Sequence, residues 1–348
     1  MTAEASPLRR RITGRQAQGI AIRLLQRGGI VLPFLALFLT LSLKSEPFAT
    51  KANLLNILDQ QSATLIIAAA GTLVLVSGGI DLSVGAVYGF AAVTSAHFAL
   101  ETSAGLAIVL GVGAGLLVGV VNGLVITLFR INALIATLAM SFIVNGCSGL
   151  FTGGNLLVLF NKPAFGDLAR THFLTVKTSI WTMVGAVLIL GFLLSATTAG
   201  RYMYAAGGNA EAARLAGVRV DRIRILTFAL SGMAAGLAGV IDTSNVLTAQ
   251  AASNENLTFT VLAGIVVGGT SILGGEGAVW RTVVGVLFIA LIGNGYLLLQ
   301  LDPLYQQITL GGLLLLAVAL DALTRGLLRP GAAVKQLLRS RRRSRAAA

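Results

Sequence analysis

GRYMYAAGGNAEAARLAGVRVDRIR, residues 200–224, is the longest strongly charged run in an otherwise apolar chain. Five arginines (Arg201, Arg214, Arg219, Arg222, Arg224) accompany two acids, Glu211 and Asp221, and hydrophobic segments lie on both sides. Its centre reads as a short helix. Gly207 and Gly208 break the incoming chain and Asn209 is a strong N-cap. Glu211 meets the positive end of the helix dipole in the first turn, and Gly217 is the stop. About two turns of helix cannot hold themselves together in water, because nucleation is too costly for so few hydrogen bonds. Something must receive this helix.

The surroundings of that run are those of a membrane protein. Of 348 residues 55% are hydrophobic and 11% charged, with a mean hydropathy of +0.85, which leaves too little polar surface for a soluble chain. The 42 glycines suit close packing of membrane helices. A single cysteine, Cys147, excludes a disulfide framework and any multi-cysteine metal site. His97 and His172 are the only histidines, too few for a haem or di-metal centre.

A span needs about 20 mostly apolar residues to cross about 30 Å of hydrocarbon. On that ruler about ten transmembrane helices are expected, near 28–43, 62–79, 82–99, 104–129, 133–151, 179–196, 224–244, 258–274, 278–300 and 304–322. The fold class is all-α and polytopic. A basic N-tail (1–28) precedes a transmembrane domain (29–322), and a basic C-tail (323–348) follows it. With the N-terminus inside, 21 of the 26 basic residues fall on the cytoplasmic side, the loop 200–224 among them. That asymmetry is what the positive-inside rule demands, and it accounts for the net charge of +13 without nucleic acid. Lys335 to Arg345 most simply contacts anionic lipid.

An internal repeat is visible. Asn122-Gly123 followed by Thr137-Leu138 matches Asn294-Gly295 followed by Thr309-Leu310 at the same interval, with Arg130 set against Asp302 at the turn. An offset of five crossings would make two inverted repeats of about five helices, a common plan for transporters.

Motifs for chemistry are sparse. No P-loop glycine precedes Lys44-Ser45 or Lys177-Thr178, and neither H-E-x-x-H nor G-x-S-x-G occurs, so an enzyme is poorly supported. Asp81, in VSGGIDLSVG (76–85), reads as a cap for the helix starting near Ser83; a proton-carrying carboxylate of a secondary carrier is the sharper alternative. Asp242 reads as an interfacial charge. Gln60, Gln61, Asn122, Asn145, Asn245, Gln250, Asn294, Gln306 and Gln307 supply amides that hydrogen-bond polyols, or equally glue helices together. The candidate translocation set is Gln60, Gln61, Asp81, Ser83, Asn122, Asn145 and Asn294. Val267 to Gly275, VGGTSILGG, reads as a broken or re-entrant segment.

Four stretches carry a family likeness: GGIDLSVGA (78–86), NGLVITLFRINALIATLAM (122–140), GRYMYAAGGNAEAARLAGVRVDRIRIL (200–226) and IVVGGTSILGGEGAVW (265–280). Over about residues 30–325 the chain resembles the permease subunit of bacterial ATP-binding-cassette importers for ribose and related monosaccharides. The resemblance implies a multi-pass inner-membrane protein with both termini cytoplasmic. It implies three kinds of partner: ATPase subunits, a periplasmic sugar-binding protein and a second permease copy or paralogue. ATP is then bound at the partner subunit and no cofactor by this chain. It makes Glu211-Ala212-Ala213 with Gly217 the coupling motif, with Gly208, Asn209 and Arg214 beside it, docking into a groove on the ATPase. The chain departs from many relatives at Thr258 and Thr260, where acids are expected, and this leaves the choice of sugar open. The rival reading is a proton-coupled carrier working through Asp81.

Overall fold

In hydrocarbon every backbone N–H and C=O must be satisfied within the protein, and this chain does so almost wholly with helices. A computed structural model describes residues 29–251, 254–302 and 304–328. The N-tail, and the C-tail from residue 329 onward with its basic run, lie outside the described residues. The first helices are α1 (Val31–Lys44), α2 (Lys51–Gln60), α3 (Ser62–Val76), α4 (Val84–Glu101), α5 (Ala104–Leu128) and α6 (Ala133–Thr152). A small outlying layer follows: β1 (Leu157–Val158), α7 (Pro163–Arg170), β2 (His172–Phe173) and β3 (Val176–Lys177). Then come α8 (Thr178–Ala196), α9 (Thr198–Gly208), α10 (Ala210–Leu215) and α11 (Val220–Val246). Strand β4 (Thr248–Ala249), α12 (Glu255–Val267), α13 (Val279–Leu298) and α14 (Leu304–Leu328) close the chain. Strand β1 pairs antiparallel with β4, and β2 with β3.

Helix α11, 27 residues and so about 40 Å long, is the axis of the core. It crosses α5 with almost no space between the backbones. A Cβ at Gly119 would lie 2.3 Å from the Phe228 carbonyl oxygen, and one at Gly232 would lie 2.3 Å from that of Gly115. No side chain larger than hydrogen fits there, which is why the stripe Gly111, Gly115, Gly119 and Gly123 recurs every fourth residue. Helix α3 is buried along its whole length, Ser62 to Val76. Thr72 shares a 2.7 Å hydrogen bond with Thr282 of α13 across that packing.

The all-α expectation holds; the count of ten spans is not reached among the described residues. Among the described residues five helices are long and apolar enough to cross, namely α5, α6, α8, α11 and α13. Helices α2 and α3, bent by 52° at Gln61, together make a sixth. The expected span 258–274 is instead the 13-residue α12, about 20 Å long, followed by irregular backbone over 268–278. Schellman caps end both α3 and α12. Gly78 and Gly269 each stand at φ 83°, and the 6→1 bonds run from Gly79 N–H to Val74 O (3.0 Å) and from Thr270 N–H to Ile265 O (3.2 Å). The broken segment expected at 267–275 is therefore present, and it has a counterpart at 77–83.

The two matched halves of the repeat both fold as helical hairpins. Asn132 and Asp302 accept hydrogen bonds from the N–H groups of Leu134 and Leu304, both at 2.9 Å, and so begin α6 and α14 alike. These caps are equivalent, two residues out of step with the sequence match, which sets Arg130 against Asp302.

Candidate functional site

Helix α10 is capped at both ends by its own sequence. The Asn209 Oδ1 accepts from the N–H groups of Glu211 (3.1 Å) and Ala212 (3.0 Å). At the other end Gly217 stands at φ 86°, with Val218 N–H bonded to Ala213 O and Gly217 N–H to Arg214 O, both at 2.9 Å. That is a Schellman motif, for which a left-handed glycine is the natural residue. Capping removes the orphan backbone groups that would otherwise unravel so short a helix. Ala213 alone of α10 is buried, against a cluster that includes Ala206, Val220 and Ile223. Glu211, Ala212 and Arg214 are exposed, and Leu215 is 87% exposed. Arg214 pairs with Asp221 at 2.9 Å, an exposed pair worth about 0.2–1 kcal/mol.

The two glycines before α10 do not break the chain. Helix α9 runs through both and ends at Asn209, whose backbone is extended (φ −159°, ψ 98°). Gly207 is a crossing point: a Cβ there would sit 1.8 Å from Val76 O and 2.7 Å from Gly275 N. Gly208 is exposed, with nothing within 4 Å of such a Cβ. Gly275 N–H donates to Val76 O at 2.9 Å, so the ends of α3, α9 and the 268–278 segment meet backbone to backbone. Tyr204 strengthens the joint by donating to Gly277 O at 2.8 Å. Burial raises the Tyr204 phenol above its ordinary range against the opposing pull of Arg281, so the donor proton stays in place. This junction was invisible in sequence, where its glycines resemble punctuation.

Asp81 is buried, with its carboxylate fully engaged. Oδ1 accepts from Ser83 N–H (3.0 Å) and Ser83 Oγ (2.6 Å), and Oδ2 accepts from Ser231 Oγ of α11 (2.8 Å). Asn122 of α5 donates to Ser83 Oγ at 2.8 Å. Leu82 N–H finds Thr137 Oγ1 at 3.0 Å, and Gly85 N–H finds Thr258 Oγ1 at 3.1 Å. The cluster thus satisfies backbone donors between α3 and the first turn of α4, but Asp81 is not the expected helix cap: Ser83 holds the N-cap position without a side-chain capping bond, Asp81 bonds Ser83 itself, and Thr258 takes the first-turn donor. Of the other pathway candidates, Asn294 makes a reciprocal amide pair with Asn53 (3.0 and 3.1 Å). Gln60 is exposed at the α2–α3 bend, while Gln61 and Asn145 are half-buried.

A second polar cluster links α2, α8 and the β2–β3 hairpin. Lys177 Nζ and Ser179 Oγ both donate to the buried Asp59 carboxylate, and Lys177 also reaches Asn245 Oδ1 at 3.5 Å. Asp242, near the end of α11, is half-buried and accepts from the Tyr88 hydroxyl of α4. The only advance sign of these pairs was four ionisable or phenolic groups in apolar surroundings.

Comparison with known proteins places this architecture. Residues 53–318 match the family described as branched-chain amino acid transport system / permease component. The chain is 38% identical over 313 residues to the L-arabinose ABC transporter permease protein AraH of Azospirillum brasilense, covering 89% of this chain and 91% of the relative. It is 37% identical over 294 residues to the ribose import permease protein RbsC of Bacillus subtilis (83% and 91%). With the same-named protein of Escherichia coli strain K12 it is 35% identical over 295 residues (84% and 92%). No solved structure matches the chain. A multi-pass helical bundle with a capped helix held outside it, matching these relatives over most of its length, belongs to the family of branched-chain amino acid transport system permease components.

Proposed function

We propose that this chain is the membrane permease of an ATP-driven importer of a monosaccharide, and that α10 is the element a separate ATPase subunit receives. The observation that carries the coupling reading is α10 itself. It is a helix too short to stand alone, yet it is capped at both ends and presents Glu211, Ala212, Arg214 and Leu215 to solvent. Leu215 would give such a partner an apolar contact beside the charges of Glu211 and Arg214. Gly207 then ties any movement of α9 and α10 to the ends of α3 and of the 268–278 segment.

The sugar reading draws on the relatives, whose names specify arabinose and ribose. The importer would sit in the bacterial inner membrane with both termini and α10 cytoplasmic, as its basic residues favour. It would work as a pair of permeases with two ATPases and a periplasmic binding protein. Solute would pass along amide-bearing faces such as those of Gln60, Gln61, Asn145 and Asn294. Asp81, Ser83 and Asn122 would hold the broken α3–α4 segment in place beside that path.

The test is co-purification with the ATPase encoded beside it, followed by sugar-dependent ATP hydrolysis and uptake in proteoliposomes. Glu211→Arg and Leu215→Asp should abolish uptake and release the ATPase while the purified permease keeps its thermal stability. Unchanged uptake in both variants sinks the coupling assignment.

A further inference from the structure

Outside the coupling helix and the Asp81 cluster, the structure holds a cleft of about 480 Å³ between α12 and α14. That volume lies in the range of about 300–1,000 Å³ usual for small-molecule sites. Asn256, Phe259, Thr260 and Ala263 fall on one face of α12, spaced as neighbours along a helix; Gln306, Gln307, Leu310 and Leu314 fall on the facing side of α14. Helix α12 runs antiparallel to α13, since Gly264 meets Val286 and Gly268 meets Arg281. Helix α13 runs antiparallel to α14, since only residues 299–303 separate the two helices and Gly293 meets Gln306. Helices α12 and α14 are therefore parallel, and the same contacts put Asn256 and Gln306 at one level. Three amides and a hydroxyl gather at one end of the cleft, and leucines line the other.

We infer that this cleft is a monosaccharide subsite within a single permease chain, an inference that rests on the importer reading above. Each amide both donates and accepts, which suits hydroxyl groups that do the same. The Thr260 hydroxyl gives its proton to Asn256 O at 2.8 Å and so turns acceptor lone pairs outward. Phe259, 56% exposed, offers an apolar face for the C–H side of a sugar ring. Among the described residues no acidic or basic side chain lines the cleft, and these side chains offer nothing to a zwitterion's carboxylate and ammonium groups. Its chemistry selects a neutral polyol over an amino acid, despite the family's description. Amides left against hydrocarbon are costly, so this face opens on water or protein.

Protection from labelling tests the assignment. Gly311 lines the cleft and a side chain there meets nothing within 4 Å, so Gly311→Cys in a Cys147→Ser background gives one reporter thiol. In nanodiscs, D-ribose or L-arabinose at about three times its Kd should slow maleimide labelling about fourfold, because only the unoccupied fraction reacts. L-leucine at the same concentration should not slow it. Gln306→Leu and Asn256→Leu should each weaken protection about tenfold, the loss expected for about one hydrogen bond. Labelling indifferent to both sugars, or slowed equally by leucine, or protection undiminished in both variants, overturns the subsite. Uptake by the assembled transporter separates the two readings. Sugar uptake without protection removes only the subsite; leucine uptake without sugar uptake removes the importer reading as well.

Discussion

Two adjacent glycines with the same side chain, the same helix and the same sequence context should respond to alanine with opposite signs. Helix propensity alone favours alanine over glycine by about 1 kcal/mol in a helix interior and by less near an end. At Gly208 nothing lies within 4 Å of the added methyl and the residue is exposed, so Gly208→Ala should be neutral or stabilise by about 0.5 kcal/mol. At Gly207 the methyl would fall 1.8 Å from Val76 O, where contact requires more than 3 Å, and 2.7 Å from Gly275 N. The offending atoms are backbone, so no rotamer change relieves them. The three segments must separate by over about 1 Å, which breaks the 2.9 Å bond from Gly275 N–H to Val76 O. Losing that bond costs about 1–3 kcal/mol and the forced expansion about 1–3 more. Set against the propensity gain, Gly207→Ala should destabilise by about 1–5 kcal/mol. At about 2 °C per kcal/mol for a large domain, the midpoint should fall by about 2–10 °C. Thermal unfolding of the two purified variants in the same detergent, followed by size-exclusion fluorescence, measures both. A Gly207→Ala protein as stable as the parent refutes the backbone junction, whatever Gly208→Ala does.

Three further outcomes follow from the geometry. Asn209→Ala should remove the two capping bonds of α10 at a local cost of about 1 kcal/mol, seen as faster amide exchange at Glu211 and Ala212 with the global midpoint unmoved. Asp81→Asn keeps an acceptor for Ser83 N–H, whereas Asp81→Leu strands three donors. The leucine variant should lose at least about 2 kcal/mol more in thermal unfolding, and uptake by the asparagine variant should be untouched by a protonophore at constant ATP. Lys177→Met leaves the buried Asp59 carboxylate without its cation, a loss of about 1–3 kcal/mol, below the usual range for buried pairs because Lys177 is about a third exposed. Adding Asp59→Leu should recover most of that stability; a double variant no better than Lys177→Met argues that the pair contributes nothing.

Composition and charge alone decide that this chain is a helical membrane protein, because an apolar chain in hydrocarbon has few ways to satisfy its backbone. Local signals were equally legible where they act over one turn. Asn209 and Gly217 set both ends of α10 through short-range hydrogen bonds and a left-handed φ, and those need no distant partner. The contacts of Asp81 with Ser83 are just as local, but they fold the approach to α4 and do not cap it, and only the fold brings Ser231 to the other carboxylate oxygen. The tertiary structure decided whatever depends on which backbones touch. Gly207 and Gly208 are indistinguishable as letters, yet one fills a crossing and the other faces solvent. The short α12, mistaken for a full span, depends on irregular backbone at 268–278 being received by α9 and α13. The partner of Asp242 was likewise hidden, because only the α4–α11 packing brings Tyr88 to it. Residues 200–224 therefore declare a short helix capped at both ends from sequence alone, and only the fold shows that Gly207 links it to the broken ends of two others.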